Sequence, residues 1–188
     1  MPRLVAFLRA INVGGHVVTM AELRKHFEAL GFGDVETFIA SGNVVFSARA
    51  GSPAAFERKI EARLQKALGY EVRTFVRTGA EVAAVAACRP FAEARIASGV
   101  AFSVGFHAEP IAAAAARALQ ALGTRFDEFH VRGREVYWLS QTRQSDSPMS
   151  NLVFAKTLKA PGTFRNMNTV ARLVAKHGFE PASGPRLL

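Results

Sequence analysis

Three short polar segments interrupt an otherwise apolar pattern, and their residue types are the ones that could do chemistry. The first is Arg9 followed by Asn12-Val13-Gly14-Gly15-His16. Two adjacent glycines let a backbone approach a ligand closely. The N-terminus of a following helix offers free N–H groups and a positive dipole end, which suit an anion. The plainer reading of the same residues is a strand-to-helix turn that needs positive φ. The second segment, Ser41-Gly42-Asn43, reads as a hairpin turn and joins a site only if the fold carries it to the first. The third is Gly162-Thr163-Phe164-Arg165-Asn166-Met167-Asn168-Thr169, with Lys156 and Lys159 upstream. Arg165 presents a planar fork for carboxylate or phosphate. Asn166 or Asn168 taken alone is a helix cap.

The candidate ligand-binding set is therefore Arg9, Asn12, Gly14, Gly15, Ser41, Asn43, Lys156, Arg165, Asn166 and Asn168. These are donors and amides rather than general bases. They suit holding phosphate or carboxylate better than moving protons, so they favour binding or transfer over hydrolysis. The expected ligand is an anionic, nucleotide-like or phosphorylated small molecule seated between two subdomains. No residue is singled out as catalytic. The five histidines (16, 26, 107, 130, 177) are scattered and the three aspartates (34, 127, 146) stand apart, so no metal-ligand spacing is present and no cofactor is called for. Phosphate-binding and dinucleotide-binding glycine motifs and the nucleophile elbow are absent. Cys88, the single cysteine, precedes Arg89, which can lower a thiol pKa, but a lone Cys reads first as a small buried hydrophobe.

The elements that must position these segments punctuate cleanly. Leu4 to Ile11 is an apolar run expected to be a strand covered on both faces. Thr19 and Glu22 form a capping box for a helix whose Met20, Leu23, Phe27 and Leu30 recur at helical spacing, with Gly31 as its left-handed stop. Val35–Ala40 and Val44–Ser47 read as an antiparallel strand pair. Ser52-Pro53 opens a helix carrying Phe56, Ile60 and Leu64, and Glu71–Arg77 is a fourth strand. The order β-α-β-β-α-β is that of a ferredoxin-like split unit.

A short helix from Gly79 to Cys88, capped by Thr78 and Glu81, and a connection over 92–99 lead to a second half. There Val100–Phe106 is a strand and Pro110–Leu122 a helix stopped by Gly123. Phe126–Val131 and Glu135–Leu139 form a hairpin. Ser150 caps a helix from Asn151 to Leu158, and a last helix spans Met167–His177. The element order repeats, so the chain reads as α+β with two similar ferredoxin-like subdomains arising by internal duplication. The expected divisions are 1–78, a helix and connection over 79–98, 99–180, and a C-terminal arm over 181–188.

The chain has 188 residues and a net charge of +9 from 24 Lys and Arg against 15 Asp and Glu, a length that accommodates two such units. The basic residues are dispersed and form no tail, so a solvated Arg-rich surface competes with nucleic-acid binding. The nucleic-acid alternative would stack bases on sheet aromatics, for which the 15 Phe supply candidates. Val100-Ala101-Phe102-Ser103-Val104-Gly105-Phe106 has spaced Phe but lacks the basic-glycine lead of RNA-recognition strands. A third alternative is an assembly module packing through the Ala-rich helix 110–122. One thiol excludes a disulfide framework. No run reaches membrane-spanning length, and the short apolar stretch at the N-terminus does not read as a signal peptide, so a cytoplasmic, membrane-free setting is expected.

The stretches Leu8-Arg9-Ala10-Ile11-Asn12-Val13-Gly14-Gly15, Met20-Ala21-Glu22-Leu23-Arg24, Leu30-Gly31-Phe32, Phe38-Ile39-Ala40-Ser41-Gly42-Asn43-Val44-Val45-Phe46 and Thr163-Phe164-Arg165-Asn166-Met167-Asn168-Thr169-Val170 resemble the signatures of the bacterial family catalogued as domain of unknown function 1697. The resemblance implies an α+β fold of two similar ferredoxin-like subdomains and brings no established activity. The chain departs from the family's usual pattern at Ala10, where Gly is common, at Ala40, where Gln is common, and at Met167, where Trp is common.

Overall fold

The computed structural model describes residues 1–12, 14–15, 17–39 and 42–182. The chain forms two compact units: residues 1–84 together with the chain from Leu173 onward, and Val85–Arg172. Among the described residues, no helix is long and apolar enough to cross a membrane.

The first unit runs β1 (Arg3–Leu8), α1 (Met20–Glu28), β2 (Gly33–Thr37), β3 (Asn43–Ser47), α2 (Pro53–Leu68) and β4 (Thr74–Thr78). Its sheet has the order β2-β3-β1-β4 with every neighbour antiparallel, which is the split ferredoxin-like arrangement. The pleat alternation sends Leu4, Ala6, Leu8, Val44, Phe46 and Val76 into one core with Leu23, Phe27, Ile60 and Leu64 of the two helices. Phe27, Phe32, Phe46 and Phe56 interlock there at centroid separations of 4.5 to 6.1 Å. The other pleat face is buried as well, through Val5, Phe7, Val45, Phe75 and Arg77. Thr19 and Glu22 make the reciprocal capping box that starts α1. Ser52 caps α2 with Pro53 at its first position.

The chain continues through α3 (Gly79–Ala87) and α4 (Glu93–Ser98). The second unit's sheet then builds from β5 (Ala101–His107), α5 (Ala113–Gln120), β6 (Asp127–Arg132), β7 (Glu135–Ser140), α6 (Asn151–Leu158) and β8 (Gly162–Asn166), followed by α7 (Met167–His177). The strand order β6-β7-β5-β8, again antiparallel throughout, repeats the first sheet position for position. Leu119, Phe129, Val136, Trp138, Phe154 and Leu158 form its core. Val104, Phe106, Tyr137 and Leu139 are buried on the opposite pleat face. The repeat reaches single residues: Arg77 and Arg165 are each the fourth residue of the last strand, each is buried, and each donates Nη1 to the carbonyl of the residue before it.

Several expectations are corrected. The strand expected over Leu4–Ile11 stops at Leu8, because Ala10 turns the chain with φ 58°. The polar segment 162–166, for which no strand is expected, is the final strand and completes the second β-α-β-β-α-β set. The connection over 92–99 holds the short helix α4. Gly123 is not a left-handed helix stop: α5 ends at Gln120 with Ala121 right-handed, whereas Gly31, Gly69 and Gly178 do take positive φ of 79°, 81° and 60°.

Candidate functional site

The first two polar segments meet at one end of the first unit's sheet. Phe7 of β1 lies opposite Asn43 of β3, and the Leu8 N–H donates to the Gly42 carbonyl at 2.8 Å. Gly42 has φ 71°, and a Cβ there would come 3.0 Å from Ile11 and 3.1 Å from Leu8. Only glycine lets the two turns close on each other in this way. Asn43 is buried; its Nδ2 donates to the Phe38 carbonyl at 3.0 Å, sealing the hairpin. Asn12 folds the loop after β1: its Oδ1 accepts from the Val18 N–H at 2.7 Å. Both asparagines thus shape the site from within. Ser41 lies outside the described residues, as do Val13, His16 and Ala40.

The described residues of these two segments not spent on loop closure are Arg9, Gly14 and Gly15. Arg9 is anchored through its backbone N–H to the Arg73 carbonyl at 2.8 Å and is half-buried. Its guanidinium makes no hydrogen bond or ion pair with any described residue. Gly14 and Gly15 are exposed with φ 64° and 85°, and among the described residues no atom beyond their chain neighbours stands within 4 Å of where a Cβ would be. Consecutive left-handed residues are conformations that only glycine takes freely. The N-terminus of α1 carries its own anion. The Glu22 carboxylate accepts from the Thr19 N–H at 2.9 Å and from its hydroxyl at 2.8 Å, and those bonds hold it below the usual carboxylate range. Beside it, a cavity of about 300 Å³ is lined by Val17, Val18, Glu22, Lys25, His26, Ala67 and Leu68.

The third segment belongs to the second unit. Arg165 is 9% exposed and donates to the Thr163 hydroxyl at 2.8 Å and to the Phe164 carbonyl at 2.9 Å. Burial pushes its guanidinium down to about 10, so it is still charged at neutral pH. Asn166 closes the step from β8 into α7 by accepting from the Asn168 N–H at 2.8 Å. Lys156 and Asn168 are exposed.

Some polar arrangements have no counterpart in the sequence reading. Asp127 is buried and accepts the Trp138 indole N–H at 2.7 Å and the Ser147 hydroxyl at 2.9 Å. Cys88 takes an N–H from Arg132 at 3.8 Å, and the buried Tyr137 phenol is raised by burial and by Cys88. Arg3 of β1 meets His177 of α7 across 174 positions of sequence. No local spacing announces pairs so distant in the chain. Among the described residues, no group of three or more His, Cys, Asp or Glu could hold a metal ion.

Two antiparallel sheets with identical strand order and a loop-borne polar cluster place the chain in the class of duplicated ferredoxin-like α+β proteins. A solved structure with this architecture, the conserved bacterial protein SP0830 from Streptococcus pneumoniae, superposes with a TM-score of 0.72 at 24% identity, covering 94% of this chain and 98% of that one. The model of the family of proteins of unknown function DUF1697 matches residues 1–137, and the chain belongs to that family. No curated protein matches it.

Proposed function

We propose that this protein binds an anionic small molecule, phosphorylated or nucleotide-like, at the loop end of the first unit's sheet. The observation that carries this reading is the Arg9 guanidinium. Arg9 is a half-buried residue whose backbone N–H is bonded to the Arg73 carbonyl, and its guanidinium is without a partner among the described residues. A phosphate or carboxylate supplies the bidentate partner it lacks. Gly14 and Gly15 are exposed and add backbone N–H groups as donors for an anion. Among the described residues of the set there is no positioned base, which favours holding an anion over hydrolysing one.

The net charge of +9 makes nucleic acid the competing ligand. Stacking on the sheets is disfavoured, because Phe7, Phe75, Phe106 and Tyr137 are buried. A thermal-shift screen separates the two readings. It would compare inorganic phosphate, mononucleotides, sugar phosphates, dicarboxylates and a short single-stranded oligonucleotide at low and physiological salt. A ligand at 100 times its Kd adds about 2.7 kcal/mol of stability. The proposal predicts a small-anion shift that survives salt and disappears in Arg9→Ala. A shift with the oligonucleotide alone, collapsing as salt rises, would overturn it in favour of electrostatic nucleic-acid binding.

A further inference from the structure

The end of α7 and the residues just after it meet the first unit's sheet through His177, Lys176 and Phe179. Arg3 Nη2 lies 3.1 Å from His177 Nδ1. Arginine only donates, so Nδ1 must accept, and the ring must be neutral with its proton on Nε2. That Nε2 is buried and meets no hydrogen-bond partner among the described residues. Phe179 stacks on the ring at 5.5 Å and 25°, and Phe38 meets its edge at 6.4 Å. Phe179 in turn lies under the Arg3 guanidinium at 5.8 Å and against Gly79, where a Cβ would come within 2.6 Å of its ring.

We propose that His177 is a proton-operated latch: neutral, it holds the segment Leu173–Phe179 on the first unit's sheet, and protonated, it lets that segment go. A second ring proton removes the lone pair that Arg3 uses and turns two donors toward each other. The charged groups around the ring already lean one way. Arg3 comes from β1 and Lys176 from α7 itself. Glu36 of β2 is engaged by Lys176, and Glu81 of α3 accepts from the Thr78 N–H and hydroxyl. An imidazolium would be a third cation, and among the described residues His177 pairs with no carboxylate. Burial, then Arg3, then Lys176 lower the His177 pKa below its ordinary 6.5. A base lowered in the folded state contributes stability that is present above 6.5 and is lost as pH falls through the folded value.

Hydrogen exchange, corrected for the intrinsic pH dependence of the chemistry, tests this on the full chain at about pH 7.5 and pH 5. The latch predicts that opening over 173–179 rises by up to about tenfold per pH unit as pH falls below 6.5 and levels off below the lowered folded-state value, while β3 stays protected. In His177→Asn, which keeps an acceptor near the Nδ1 position but does not titrate, that dependence should vanish. Equal protection of 173–179 at both pH values, or a dependence that survives in His177→Asn, would overturn the proposal. A direct NMR titration of the wild-type ring decides the matter even if the variant folds poorly. A His177 pKa below 6.5 supports the latch, and one at or above 6.5 refutes it.

Discussion

Gly105 sits mid-strand in β5, flanked by β7 and β8, a position where glycine ordinarily weakens a sheet. The structure gives the reason for it. A Cβ there would lie 2.7 Å from the Phe164 ring, against 3.4 Å for ordinary contact, so the ring must retreat by about 0.7 Å. The ring has little room, because it packs on Phe154 at 4.5 Å and against Trp138 at 6.1 Å. Overpacking of this kind costs about 1–3 kcal/mol. Relief of the glycine's conformational entropy returns about 0.4–1 kcal/mol. Gly105→Ala should therefore destabilise the second unit by roughly 1–2 kcal/mol, worth about 4–8 °C per kcal/mol for a unit of this size. Trp138 is the chain's single tryptophan and lies in that core, so its fluorescence during urea or thermal unfolding reports the unit directly. Phe164→Leu in the same background should recover part of the loss, giving a coupling of about 0.5 kcal/mol or more. An unchanged or raised midpoint in Gly105→Ala, or strict additivity with Phe164→Leu, would refute this packing argument.

Other perturbations follow from the same geometry. Ala10 occupies a left-handed conformation at φ 58°; Ala10→Gly should be neutral or stabilise by up to about 1 kcal/mol in urea unfolding, and a clear loss would contradict the strain. Asp127→Ala strands the buried Trp138 indole N–H and the Ser147 hydroxyl, and should cost about 2–3 kcal/mol with a change in tryptophan emission. Burial, then Arg63, lower His26 below 6.5 while Glu22 opposes them; stability should therefore rise with pH just below 6.5, and His26→Gln should flatten that slope in pH-dependent unfolding.

The first unit was legible because its signals are local. The Thr19–Glu22 capping box, Ser52-Pro53 and the left-handed Gly31 and Gly69 each act within a few residues of themselves. β8 was illegible for the same reason in reverse. Gly162-Thr163-Phe164-Arg165-Asn166 is short and polar, and it becomes a strand only because β5 supplies its partner. That assignment changes the site as well. Arg165 and Asn166 have the chemistry of anion ligands, yet one is buried against Thr163 and Phe164 and the other opens α7. Asn12 and Asn43 likewise spend their amides on loop closure. Residue type alone could not separate these from Arg9, whose guanidinium is left without a partner among the described residues. The Arg3–His177 pair spans nearly the whole chain and leaves no trace in spacing.

The most direct test of the central claim is a two-dimensional amide NMR titration of the full chain with a nucleoside monophosphate at physiological salt, following Gly14 and Gly15. If Arg9 and the two glycines hold the phosphate, both glycine amides shift along a single saturating isotherm in the wild type and stay still in Arg9→Ala. Saturable shifts confined to other residues, or glycine amides that do not move at any nucleotide concentration, would contradict it.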